Sequence, residues 1–324
     1  MPSTPLGWIR VALVLLVIVP VAGLAETPDP KDELRRRVYD VQVSGDGLVA
    51  ATEIGLVTWD VSNPASPARL GEFEVPGSPV SSCLRGRIAW LCAGPEGLFA
   101  VDVADPRHPR QVGRLDTPGS ASQVAFLGDV AYVADGSMGV AVVDAADPAR
   151  LVEVGRLDTA DYARSVAVAG ARLLTAEDRD GLGVWDLADP RRPARLARVA
   201  IPGQARFVAV SGSWAFVAAG TGGVSVVALD GTPRVVATVR TSDIARGVAS
   251  FGEKWLLVAD GTAGLAVFDV TRPSSPRRVV EVKDVDGSAT KVVTAGGRAF
   301  VAFDFAGFVI YDLKDPTGPR LIRR

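Results

Sequence analysis

The chain has 324 residues, 48% of them apolar and 22% charged, which is the balance of a protein with a large folded core and excludes a disordered chain. Its 35 basic and 37 acidic residues leave a net charge of −2, so no global field attracts nucleic acid or an anionic membrane surface. A single histidine removes His-rich zinc and copper sites, and no cofactor is called for.

In chain order, residues 1–25 read as a secretory signal peptide. Arg10 precedes the unbroken apolar run VALVLLVIVPVAGLA from Val11 to Ala25. The run is shorter than the roughly 20 residues of a membrane-spanning helix, and Gly23 and Ala25 place small residues at −3 and −1 of a cut after Ala25. The alternative is an uncleaved anchor. Residues 26–37 are a polar linker, and residues 38–324 are expected to form the folded part. Export to the periplasm, cell surface or medium would permit a disulfide. With Gly86 and Arg87 as a hairpin turn, however, Cys83 lies opposite Trp90, and its diagonal neighbour Cys92 is about 7–8 Å away. That is at or beyond the usual bridging limit of about 7 Å, so two buried free thiols are expected.

From Gly55 onward one ten-residue phrase returns: GLVTWDVSNP, GLFAVDVADP from Gly97, GVAVVDAADP from Gly139, GLGVWDLADP from Gly181, the degraded GVSVVALDGT from Gly223, GLAVFDVTRP from Gly264 and GFVIYDLKDP from Gly307. Its aspartate falls at Asp60, Asp102, Asp144 and Asp186, each 42 residues after the last, and its later equivalents are Ala228, Asp269 and Asp312. Each copy holds four short apolar segments separated by turn signals, as in ARSVAVAG, RLLTAED, GLGVWDL and RLARVAI. Units of about 40–45 residues with four strands are the signature of propeller blades. The expected fold is therefore an all-β, seven-bladed β-propeller with four antiparallel strands per blade. Asp or Asn before Pro, at Asn63, Asp105, Asp147, Asp189 and Asp315, predicts Asx turns. An arginine opens every fourth segment (Arg69, Arg110, Arg150, Arg195, Arg234, Arg277, Arg320), where a cation would protect an outer edge.

The phrases VAVVDAADP and FVIYDLKDP, with VGRLDTPG at Val112 to Gly119, resemble the LVIVD repeat of exported bacterial β-propeller proteins over residues 38–324. The pairs Trp59-Asp60 and Trp185-Asp186 are similar to WD repeats, but the Gly-His dipeptide of that family is absent. The LVIVD resemblance implies a propeller, export and a binding or surface role, and it implies no reaction.

Features present in every copy serve folding, so functional candidates are the departures. His108, in DPRHPR, reads as an exposed turn residue. The recurring aspartates read as turn stabilisers. The irregular acidic loops DRDG and DVDG offer Asp178, Asp180, Asp284 and Asp286 as weak calcium candidates, but neither supplies a distal bidentate Glu, and solvated turns are expected. Blades four to six alone place Arg164, Arg206 and Arg246 two residues before the first core valine of the innermost strand. These guanidiniums would meet at one channel mouth and bind an anion, with Tyr162 and Phe305 adding apolar contact. Against this stands pairing of the three with Asp161, Asp243 and other nearby acids.

The function expected is that of a noncatalytic, exported, monomeric binding or scaffolding propeller, taking a protein or anionic ligand of the cell envelope on its inter-blade loop face, with no nucleic acid and no membrane contact after signal cleavage. The alternatives are an exported lyase or glycosidase using channel carboxylates about 5–5.5 Å apart, and a self-associating surface component.

Overall fold

The computed structural model describes residues 37–77 and 79–323, so the signal-peptide reading of residues 1–25 lies outside it. The described residues form 28 strands in seven four-stranded antiparallel sheets, and they contain no helix. The blades span 38–74, 81–115, 123–157, 165–199, 207–239, 245–282 and 289–323. Within each, the strands follow the chain from the axis outward. In blade 4 they are Ser165–Ala169, Arg172–Ala176, Leu182–Asp186 and Ala194–Val199.

The second and third strands are buried almost throughout, because neighbouring blades cover both faces of each sheet. Apolar runs such as VAYVA and VAVVD therefore replace strict alternation. One position of the second strand fills each seam: Trp90, Tyr132, Leu174, Phe216, Leu257 and Phe300 occupy it in blades 2 to 7, each burial contributing about 1.5–3 kcal/mol. Blade 1 has the smaller Val49 there, and a hollow of 630 Å³ bordered by Val49, Thr58 and Leu84 lies in the seam with blade 2.

The turns show why the phrase reads as it does. Its opening glycine needs both a positive φ and no side chain: at Gly181 φ is +88°, and a Cβ would lie 2.4 Å from the Val199 carbonyl oxygen. The recurring aspartate accepts the amide two residues on, as Asp144 does from Ala146 and Asp312 from Lys314. The Asx turns form as expected at Asn63, Asp105, Asp147, Asp189 and Asp315. The outer arginines are less uniform than the sequence suggests. Arg110, Arg234, Arg277 and Arg320 pair across from the phrase's sixth residue, whereas Arg69 and Arg195 sit opposite Trp59 and Trp185, and Arg150 precedes its strand. A tryptophan on the third strand draws the guanidinium over its face, 4.1 Å from the ring centre for Arg195 and Trp185.

Every sheet is built from one continuous stretch of chain, so the ring closes without strand exchange. Blade 7 meets blade 1 through Phe300, Phe308, Leu48 and Trp59, with the Trp59 and Phe308 rings edge to face at 5.5 Å. Cys83 pairs with Trp90 across the hairpin as predicted, and both thiols are free, Cys92 buried as expected and Cys83 only half-buried. Burial pushes the Cys83 thiol up to about 11 and the Cys92 thiol higher still.

Candidate functional site

The seven inner strands converge on a channel with two unlike ends. A wide chamber of 590 Å³ is walled by aliphatic residues such as Val168, Val248 and Val293, with Arg85 stacked on Phe126 at 4.4 Å. A narrow chamber of 120 Å³ at the other mouth is bordered by Tyr39, Ser81, Ser122, Arg164, Arg246 and Thr290. Lys291, Phe207 and Gln123 line both and so form a septum.

The septum joins three blades. Lys291 Nζ lies 3.8 Å from Asp40 Oδ1 and 3.6 Å from the centre of the Phe207 ring. Asp40 is 1% exposed, and its oxygens accept the Val41 and Ser82 amides. Burial raises the Asp40 carboxyl and lowers the Lys291 ammonium, and each charge opposes the shift of the other. Sequence reading did not single out this pair. Its signal was a lysine and an aspartate at a repeat position that holds Ser81, Gln123, Ser165, Phe207 and Gly247 elsewhere.

Above the septum the structure brings Arg164, Arg206 and Arg246 together from adjacent blades. Burial lowers the Arg206 pKa, and the like charges of Arg164 and Arg246 lower it further. Only Arg164 has a carboxylate partner: its Nε donates to Asp178 Oδ2 at 2.7 Å, and Nη2 donates to the same oxygen. Arg206 donates to Gln204 Oε1 at 2.9 Å. Among the described residues, neither Arg206 nor Arg246 forms an ion pair, and the Nε of each is buried without a hydrogen-bond partner. Ser81 Oγ, Ser82 Oγ and Asp178 Oδ1, at the same end of the inner strands, are likewise buried and unpartnered.

The acids expected to pair are used otherwise. Asp161 accepts the Tyr162 and Arg179 amides, and Asp243 accepts the Thr262 amide and hydroxyl. Arg246 nonetheless helps to lower the Asp243 carboxyl, after the Thr262 hydrogen bonds. Tyr162 does join the cluster, with the Arg164 guanidinium 5.0 Å from its ring centre. Phe305 lies in the corresponding corner of blade 7, 58% exposed, and stacks with Arg37 rather than with the trio.

Asp178 has its own local history. At this corner blades 2, 3, 5 and 6 use Gly94, Gly136, Gly220 and Gly261, each with φ between +53° and +62° and each bridged to the next blade. Blade 4 places Asp178 there at φ +44°, the single non-glycine residue with positive φ among the described residues. Its carbonyl accepts the Ala205 amide at 2.7 Å, which sets it beside Arg206. Asp180 lies 3.7 Å from Arg198, while Asp284 and Asp286 are exposed. Among the described residues no group of three or more His, Cys, Asp or Glu is arranged to hold a metal. His108 is exposed and shares a hydrogen bond of 2.8 Å with Asp105.

The residue preceding that corner is a buried carboxylate in three blades. Asp135 is held by Arg156 at 2.8 Å and Glu177 by Arg195 at 3.3 Å. Among the described residues Asp260 has no arginine partner and is held by the Ser242 and Asp243 amides and the Thr241 hydroxyl, because Glu281 stands where blade 3 has Arg156. Burial raises the Asp260 carboxyl, and Glu281 adds to the rise.

A family model of the LVIVD repeat matches residues 35–75, 118–159, 202–228, 245–284 and 286–324. No curated protein matches the chain. Among solved structures, a candidate 6-phosphogluconolactonase from Bacteroides uniformis ATCC 8492 is similar at 16% identity and a TM-score of 0.72, covering 82% of this chain and 90% of that one. The WD40 β-propeller domain of Doa1 is similar at 12% identity and a TM-score of 0.69, covering 87% and 94%. BamB from Moraxella catarrhalis is similar at 13% identity and a TM-score of 0.59, covering 86% and 84%. Likeness at these identities establishes the propeller fold.

Proposed function

The chain belongs to the LVIVD-repeat family, and from that premise we propose that it is a noncatalytic binding propeller that works outside the cytoplasm as a monomer, holding an anionic group of a partner or ligand at the arginine-lined channel mouth. One observation carries this reading: three guanidiniums meet on adjacent inner strands, and among the described residues only Arg164 forms an ion pair with a carboxylate. An arriving anion relieves the repulsion and receives fork-like charge-assisted hydrogen bonds. Asp40, already engaged by Lys291, is the one carboxylate among residues lining the two chambers, which supports binding over chemistry by paired carboxylates. The export part rests on the apolar leader pattern of residues 1–25.

Titration of the mature protein with an acetylated hexaglutamate peptide tests the reading. The wild type should bind with an affinity that falls as salt rises, and Arg164→Gln/Arg206→Gln/Arg246→Gln should bind at least about tenfold more weakly. Equal binding by the two proteins would remove the mouth as the site. Gel filtration at high concentration should give a monomer, and a concentration-dependent oligomer would favour self-assembly instead.

A further inference from the structure

Away from the channel, we infer that the hollow in the seam between blades 1 and 2 is a binding site for a small aromatic amine, its ring held between the blades and its ammonium met by Asp46 and Asp60. At 630 Å³ the hollow falls within the roughly 300–1,000 Å³ of ordinary small-ligand clefts. Val49 and Thr58 of blade 1 and Leu84 and Val103 of blade 2 wall it. The equivalent groove between blades 5 and 6, where Phe216 stands in place of Val49, measures 350 Å³. Trp90, Tyr132, Phe216 and Phe300 take this position in four other blades, so the seam geometry accepts an aromatic ring. Nor does the seam need one of its own to stay pinned. The Tyr132 hydroxyl donates to the Pro190 carbonyl of the next blade's turn at 2.8 Å, and in blade 1 the Thr58 hydroxyl makes the matching bond to Pro106. Blade 2's turn is thereby fixed against blade 1 without an aromatic side chain.

The rim selects the other half of the ligand. Asp46 and Asp60 both border the hollow and stand side by side, since Gly47 pairs with Asp60 and the Asp46 carbonyl accepts the Val61 amide at 2.8 Å. In blades 2, 3 and 6 the aspartate equivalent to Asp60 meets an arginine: Asp102 meets Arg87, Asp144 meets Arg191 and Asp269 meets Arg277. Among the described residues, Asp46 and Asp60 have no such partner. Arg107, the counterpart of Arg191, is exposed and forms no ion pair with Asp60, and Arg87, the one cation bordering the hollow, is engaged by Asp102 at 2.7 Å. Hydrogen bonds from Ser62 hold the Asp60 carboxyl below its ordinary value, which keeps it ionised at neutral pH. Between blades 5 and 6 the same two positions hold Ser213 and Ala228, so the fold requires neither the charge nor the larger hollow. An ammonium satisfies the carboxylates while the ring it carries meets the apolar walls.

Calorimetric titrations with phenethylamine, 2-phenylethanol and 3-phenylpropionate, which share a ring and differ in the charge at the end of the stem, test the site. The wild type should bind the amine at least about tenfold more tightly than the propionate, with the alcohol between them and the amine's affinity falling as salt rises. Val49→Phe installs the residue that blades 5 and 7 already carry, so it should melt no lower than the wild type and bind the amine at least about tenfold more weakly. Asp46→Asn/Asp60→Asn keeps the turn acceptors at the surface and should lose most of the preference for the amine over the alcohol, which carries the test even if Val49→Phe does not fold. Equal binding of the amine and the propionate by the wild type, binding of neither, or an amine affinity unchanged in a folded Val49→Phe would overturn the inference, as would an unchanged preference in the double variant. Binding of hexaglutamate at the arginine mouth should be the same in Val49→Phe as in the wild type, so failure here leaves that reading standing.

Discussion

The two halves of the channel mouth handle charge in opposite ways. Blades 7 and 1 bury a cation against an anion: Lys291 meets Asp40 at 3.8 Å, and Asp40 is further held by two backbone amides. Blades 4 to 6 gather three guanidiniums and supply one paired carboxylate, Asp178. The inner strands thus carry a closed septum on one side and, one residue earlier in the repeat, an open cationic wall on the other. A charge neutralised inside the fold contributes to structure, whereas a charge left over is available to a ligand.

The comparison breaks most visibly at the septum. Asp40→Ala should cost about 3–5 kcal/mol in urea unfolding, because it strands a buried ammonium and removes an acceptor from two amides. Lys291→Met should cost clearly less, since Asp40 keeps its amide donors. Similar small losses in both would show that the pair is not a structural unit.

A second contrast of the same kind lies at the corner carboxylates. Glu177 has Arg195, whereas Asp260 has amides and the nearby Glu281. Asp260→Asn should raise stability at pH 7 by up to about 1 kcal/mol. With its folded-state pKa raised, Asp260 contributes fully below the ordinary carboxylate value, and that contribution is lost as pH climbs through the folded value. The advantage of the variant should therefore shrink on acidification, as thermal melts at pH 3.5 to 7 would show. A constant gap across that range would place the effect elsewhere. Glu177→Gln, by contrast, should destabilise at pH 7 by leaving Arg195 without its carboxylate.

The smallest effect is expected in the arginine wall. Arg206→Gln should leave the unfolding free energy within about 0.5 kcal/mol of wild type, because it removes a cation that has no acidic partner and two like-charged neighbours. A large loss would make Arg206 a structural residue and weaken the contrast between the halves.

Much of this molecule was legible before any coordinates. The 42-residue spacing of the phrase, its opening glycine and its Asx turns are set by interactions within a few residues, so the repeat count, the four strands per blade and the Cys83–Trp90 register followed from local rules. The convergence of Arg164, Arg206 and Arg246 was legible too, because a repeat places equivalent residues side by side. Their partners were not. Asp161 and Asp243 stood nearer in sequence to the trio's loops, yet both are spent on backbone amides and on a threonine, and the carboxylate that pairs is Asp178, delivered by the corner between the second and third strands. Lys291 and Asp40 come from opposite ends of the chain and meet only because the ring closes. Periodicity fixes where each backbone runs. Which charges cancel depends on side chains that separate blades bring within a few ångströms of each other, and only the closed propeller decides that.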